Sequence, residues 1–270
     1  MSGIKVKDCR HGRFMYYAND VYIGGSLDRY GEYSEGEIDL WRRLVRPGMT
    51  VLDVGANIGC FTVPLSRIVG DSGRVVAFEP QRQVYQMLVG NLALNEIANT
   101  NCMNAALGAA ERTVSVPVPD YSSIGNFGDV QIQYGQSESV VPCLTVDAMF
   151  FGAPVHFIKI DVEGMECDVL EGARETISRD RPVVYVENDR EGKSEELIQK
   201  ILAFDYRLWW HLTPLFNPKN FSNDTADDFL RNIVAINMVG IHASSEVEFG
   251  GVTLKEIKSP QDKSGARLTH

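Results

Sequence analysis

From residue 50 onward, short apolar runs alternate with stretches whose apolar residues recur at helical spacing. Thr50–Val54, Arg74–Phe78, Asn101–Leu107, Phe157–Ile160 and Val183–Val186 read as strands, and Tyr206–Trp210 and Ile233–Val239 as two more. Gly59–Val69, Gln81–Asn95, Met165–Ile177 and Glu195–Phe204 read as helices. Val84, Leu88 and Leu92 share one helix face, as do Met165, Val169, Ala173 and Ile177. Val114–Val118 and Val140–Thr145 read as further strands around a polar loop. This alternation predicts an α/β fold in which a mostly parallel sheet, with an antiparallel last strand, is covered by helices on both faces.

Before residue 49 the pattern changes. Aromatic β-type runs at Arg13–Tyr17 and Val21–Ile23 are broken by Gly24-Gly25 and predict a hairpin or short meander. Ser34-Glu35-Gly36-Glu37 then opens a helix with Ile38, Trp41, Leu44 and Val45 on one face, ended by Pro47-Gly48. We therefore expect a β/α extension over residues 1–48, a core domain over 49–245, and a polar tail over 246–270, frayed from Lys255 to His270.

Composition narrows the function classes. The net charge of −10 argues against a nucleic-acid-binding surface, which needs clustered Lys and Arg. Five scattered cysteines, an odd number with no CxxC spacing, read as reduced thiols in a cytoplasmic protein. The N-terminus has no apolar signal-peptide core, and no apolar run is long enough to span a membrane.

In a parallel sheet, ligands bind beyond the carboxyl ends of the strands, at the reversal of strand order. The first strand runs into VLDVGANIGCF, residues 51–61. Asp53 ends the strand, and Gly55 and Gly59 frame the turn, where a missing Cβ lets a ligand approach the backbone. Free N–H groups at the following helix start suit an anionic group. A dinucleotide loop would be GxGxxG, whereas Gly55-Ala56-Asn57-Ile58-Gly59 is DxGxxxG with an acid leading. The second strand ends at Glu79-Pro80, where a carboxylate can accept hydrogen bonds from two ribose hydroxyls. After the third strand, the short side chains of Asn104, Ala105 and Ala106 leave room for a flat ring.

The DxGxxxG loop resembles that of class I methyltransferases. The core IKIDVEGMECDVLEG within 158–172, together with VLDVGANIGCFT, CLTVDAM, Asp20–Gly24, Tyr30–Tyr33 and Phe216–Phe221, closely resembles the FkbM-like methyltransferase family. The resemblance runs from about residue 12 to 240 and implies a Rossmann-like class I sheet. It also implies S-adenosylmethionine as cofactor and methylation of a hydroxyl oxygen on a sugar, glycan or polyketide-type acceptor. Asp53, Gly55, Ala56, Asn57, Gly59, Glu79, Pro80, Asn104, Ala105, Ala106 and Asp161 are then the expected cofactor residues.

Oxygen methylation needs a proton acceptor beside the acceptor hydroxyl. Asp161 ends the fourth parallel strand, Glu163 follows it, and Glu187 ends the fifth. These three are the catalytic candidates, with Asp161 and Glu163 ranked first. His211 reads as an aromatic neighbour of Trp209 and Trp210, and His156 starts its strand at the wrong sheet edge. Asp161 with Glu187 and Asn188 resembles a Mg²⁺-holding set, but the longer Glu arm disfavours an octahedral site, so no metal is expected. Two long segments, Val118–Ser139 with Tyr121, Phe127 and Tyr134, and His211–Asp228, are candidate covers for the acceptor. Their polar and aromatic residues tilt the expectation toward sugars. The competing readings are an NAD-type oxidoreductase and a non-catalytic domain that keeps the fold.

Overall fold

The computed structural model describes residues 3–131, 139–149, 151–226, 229–230 and 232–266. The chain opens with a hairpin of β1 (Ile4–Cys9) and β2 (Gly12–Tyr17), followed by α1 (Ile23–Tyr30) and α2 (Glu35–Leu44). Then come β3 (Thr50–Val54), α3 (Thr62–Val69), β4 (Arg74–Phe78), α4 (Arg82–Leu94) and β5 (Thr100–Met103). β6 (Ala106–Leu107), β7 (Arg112–Val116) and β8 (Ser139–Leu144) form a separate small sheet. β9 (Val155–Ile160), α5 (Glu166–Glu171), α6 (Arg174–Asp180), β10 (Val183–Glu187) and α7 (Glu191–Leu202) return to the main sheet. β11 (Tyr206–Pro214), β12 (Val234–His242) and β13 (Lys255–Ile257) complete it.

The main sheet has the order β13-β11-β12-β10-β9-β3-β4-β5. β10, β9, β3, β4 and β5 are mutually parallel, and β12 runs antiparallel to both β10 and β11. This is the Rossmann-like arrangement the strand pattern predicts. The chain leaves β3 toward β4 and β5, then returns on the other side of β3 as β9 and β10. Strand order thus reverses between β3 and β9, which puts a crevice beyond Val54 and Ile160.

β3 is buried along its whole length because helices cover both faces. On one face Ile38, Trp41 and Leu44 of α2 and Leu65 and Val69 of α3 meet Val51, Val75 and Phe157. On the other, Val169 and Leu170 of α5 and Leu197, Ile198 and Ile201 of α7 meet Leu52, Ile158 and Val184.

Four stretches depart from the pattern-based expectation. Val21–Ile23 is not a strand, because the Asp20 carboxylate accepts the amides of Tyr22 and Gly24 and starts α1 there. Gly24 and Gly25 lie inside that helix rather than breaking the chain. A Cβ on Gly24 would stand 2.2 Å from the Tyr17 carbonyl oxygen, and one on Gly25 2.5 Å from the Phe229 ring. Asn101–Leu107 splits into β5 and β6, since Asn104 turns aside to donate to the carbonyls of Glu79 and Pro80. Met165–Ile177 splits into α5 and α6 at Gly172, where a Cβ would stand 2.0 Å from the Gly108 carbonyl oxygen. The Asp147 carboxylate caps the new start at Glu175 and Thr176. In the stretch read as a frayed tail, β13 pairs with β11 and buries Ile257.

Candidate functional site

The turn after β3 is held by backbone bonds. The amides of Gly55 and Ala56 both donate to the Phe78 carbonyl at the end of β4, at 3.0 and 2.9 Å. Gly55 has φ +80°, and a Cβ there would stand 1.7 Å from the Asp161 carbonyl oxygen. No other residue fits this crossing of two strand ends. α3 begins at Thr62, three residues later than its pattern predicts.

Asp53 is fully buried. It accepts from the Thr62 hydroxyl at 2.6 Å and faces the Lys159 ammonium at 3.4 Å. Lys159 is the penultimate residue of β9, which also brings its ammonium within 3.4 Å of Asp161 and 2.7 Å of the Gly55 carbonyl oxygen. Burial opposes the Lys159 charge, but Asp161, Asp53, Glu37 and Glu187 outweigh it and hold the pKa above the ordinary lysine value. This lysine is not among the site residues expected from the sequence. Its signal is a charge within an apolar central strand, IKID, where an unpaired cation would be prohibitive.

Glu79, 3% exposed, stands across the turn. One carboxylate oxygen accepts the Asn57 amide at 2.9 Å and the other the Gln81 amide at 2.8 Å. Burial lifts its pKa to about 7 against these two bonds. The carboxylate keeps unused lone pairs on the wall of a cavity of about 620 Å³, beside Gly55, Ala56, Asn57 and Pro80. Ala105 and Ala106 also face that cavity, whereas Asp53, Gly59 and Asn104 stand behind its wall and support it.

The same cavity continues to the ends of β9 and β10. Asp161, Glu163 and Glu187 all line it, each offering a carboxylate oxygen within 4.8 Å of the others. Burial first, then the Asp161 and Asp129 charges, push Glu163 up to about 8, although Arg190 opposes this. Arg190 binds one Glu163 oxygen and reaches Asp129 at 3.3 Å. Burial, then Asp161 and Asp189, raise Glu187 well above the ordinary carboxylate range. Leu215, Ile233 and Ile236 supply an apolar wall.

Asp161, Glu163 and Glu187 could serve as hard oxygen ligands, while Arg190 binds one oxygen of Glu163. Asn188, paired with Asp161 and Glu187 in the sequence-based metal set, is buried elsewhere and donates to the Met238 sulfur.

His211 does not line the cavity. It sits within β11, bonded to the Tyr185 hydroxyl at 2.8 Å, and burial lowers its pKa to about 4. His156 accepts the Thr50 amide at the opposite sheet edge. Of the first candidate cover, Tyr121 and Phe127 are buried against Tyr17, while Asn126, Gly128 and Asp129 reach the cavity. Tyr134 lies outside the described residues. In the second, Phe216 packs on Tyr30 and Asn217 donates to Glu32, so this stretch mainly anchors the N-terminal extension. Asp228 lies outside the described residues. Tyr33 of the extension lines the cavity, whereas Tyr30 does not.

A curated relative, ribosomal RNA large subunit methyltransferase E of Hahella chejuensis (strain KCTC 2396), is 40% identical over 63 residues, 22% of this chain and 31% of that protein. This chain thus spans about a third of that relative's length. The crystal structure of precorrin-6y C5,15-methyltransferase from Geobacter metallireducens GS-15 aligns with 77% of this chain and 86% of its own at 11% identity and a TM-score of 0.50, a likeness of fold. The crystal structure of methyltransferase FkbM from Methylobacillus flagellatus KT aligns with 76% of this chain and 50% of its own at 18% identity and a TM-score of 0.49. The methyltransferase FkbM domain model matches residues 53–208, more than half of the chain, and the protein belongs to that family of S-adenosylmethionine-dependent methyltransferases.

Proposed function

We propose that the protein methylates a hydroxyl oxygen of a small-molecule or glycan acceptor, with both reactants in the one cavity. The observation that carries this reading is Glu79. A buried carboxylate, fixed by two backbone amides, opens onto the cavity beside a glycine turn. In this reading it accepts the two ribose hydroxyls of S-adenosylmethionine. Gly55, Ala56 and Asn57 take the amino-acid end, and Pro80, Ala105 and Ala106 flank the adenine. Asp53 and Gly59 hold the turn in shape, and Asn104 ties its neighbours. Asp161 faces the methionine end.

When bound, S-adenosylmethionine supplies a methyl group on a positively charged sulfur. The chain must hold an acceptor oxygen about 3–3.5 Å from that methyl and take its proton. Glu163 is the best-placed acceptor for the proton: Arg190 fixes one oxygen and its pKa of about 8 suits exchange near neutral pH. The Asp161 charge, which acts on both Glu163 and Glu187, favours the cationic reactant and disfavours an anionic acceptor.

Tyr121 and Phe127 pack on Tyr17 and Phe216 packs on Tyr30, so these three rings do not favour a sugar over a polyketide-type acceptor. A neutral hydroxyl with an apolar flank against Leu215, Ile233 and Ile236 fits better, and glycan and polyketide-type acceptors both offer one. Family membership and the open cavity argue against the oxidoreductase and scaffold readings. Incubating the protein and cofactor with candidate neutral and phosphorylated alcohols tests the proposal by mass spectrometry. A neutral alcohol should gain one methyl group. Methylation confined to phosphorylated acceptors, or to a nitrogen or carbon, would overturn it.

A further inference from the structure

Gln81 is the N-cap residue of α4, yet its side chain does not cap the helix. It turns toward the segment between β7 and β8. Its amide nitrogen donates to the Phe127 carbonyl at 2.9 Å, and its amide oxygen accepts from the Tyr121 hydroxyl at 3.0 Å. Its own backbone amide meanwhile holds Glu79.

The segment it grips is anchored on the N-terminal extension. Tyr121 stacks on Tyr17 with centroids 4.7 Å apart, and Phe127 meets the same ring edge-on at 5.5 Å. Gly125 exchanges backbone bonds with Asn19 and Val21. Beyond Phe127 the segment runs along the cavity to Asp129, which pairs with Arg190, the partner of Glu163. One stretch of chain therefore touches the Glu79 end of the cavity through Gln81 and the Glu163 end through Arg190.

We propose that Gln81 is a positioning residue that couples the seating of residues 121–129 to the grip of Glu79 on the adenosyl group. The Tyr121 hydroxyl, which does not line the cavity, then sets cofactor affinity at a distance. The inference rests on the reading that Glu79 receives the cofactor ribose. The physical basis is that a buried carboxylate held by two backbone amides is sensitive to either amide that fixes it.

Calorimetric titration of S-adenosylhomocysteine into the wild-type chain, Tyr121→Phe, Gln81→Met and the double variant tests the coupling. Tyr121→Phe, which loses one hydrogen bond, should weaken binding about three- to tenfold, and Gln81→Met, which loses two, at least as much. The double variant should bind no more weakly than Gln81→Met, because both act on one link. Tyr121→Phe binding as tightly as wild type, or losses that multiply in the double variant, would overturn the coupling while leaving the functional reading intact. Should Tyr121→Phe lack a cooperative melt, wild-type affinity in Gln81→Met overturns it equally. No binding by the wild-type chain would remove the functional reading and this inference together.

Discussion

The Lys159 ammonium donates to the Gly55 carbonyl at 2.7 Å, joining the carboxyl end of one strand to the turn after its neighbour. The same nitrogen compensates Asp53 and Asp161. One buried cation thus ties the glycine turn to the acidic end of the cavity. Replacing it leaves Asp53 buried with its charge uncompensated. Lys159→Met should cost about 3–5 kcal/mol of stability, measured by denaturant unfolding. A loss below about 1 kcal/mol would show that the lysine is not the partner the geometry implies.

The two glycines of the turn should respond unequally to alanine. At Gly55 the added Cβ meets backbone, the Asp161 carbonyl oxygen, at 1.7 Å. At Gly59 it meets only the end of the Leu88 side chain, at 2.8 Å. Both carry positive φ, so both pay backbone strain of about 1–3 kcal/mol. Gly55→Ala should therefore be the more damaging, with loss of a cooperative melt or a fall exceeding that of Gly59→Ala by at least ~1 kcal/mol. Equal effects would contradict the close crossing.

Cofactor affinity should depend on the Glu79 proton. Ribose hydroxyls that donate to Glu79 favour its ionised form, while burial raises its pKa to about 7. Below that pH, binding must expel a proton. The Kd of S-adenosylhomocysteine should be flat above about pH 8 and rise by up to tenfold per unit below about pH 7. Calorimetry from pH 5.5 to 8.5 in buffers of differing ionisation heat checks both the trend and the proton release.

Proton acceptance by Glu163 predicts a pH-dependent rate. The carboxylate is the active form and its pKa is about 8, so the methylation rate should climb as pH rises and level off above that value. Glu163→Gln should lower kcat about 10²–10⁴-fold and abolish that limb, with cofactor affinity little changed. A variant that keeps both rate and pH profile would move the role to Asp161 or Glu187. Methyl transfer that stops in EDTA and returns with Mg²⁺ would favour the three carboxylates as metal ligands instead.

The parallel sheet, its glycine turn and the acids at its strand ends were legible because each follows from local pattern: apolar runs, glycines where a Cβ cannot fit, and acids just past a strand. What escaped depends on partners far along the chain. Gly24-Gly25 looks like a break, yet the helix needs both glycines because Tyr17 and Phe229 press against it. The split between α5 and α6 requires Gly108 and Asp147, neither of which marks its partner in sequence. Lys159 shows itself only as a misplaced charge until Asp53, Asp161 and Gly55 are brought around it. Tyr121 and Phe127 look like acceptor contacts until Tyr17 is seen beneath them.

The central claim is that Glu79 grips the cofactor, and calorimetric titration of S-adenosylhomocysteine into the wild-type chain and Glu79→Ala reads it directly. The account predicts one site per chain in the wild type and affinity about ten- to a hundredfold weaker in the variant, the loss of charge-assisted hydrogen bonds. Equal affinity in the two proteins, or no binding to a folded wild-type chain, would contradict it.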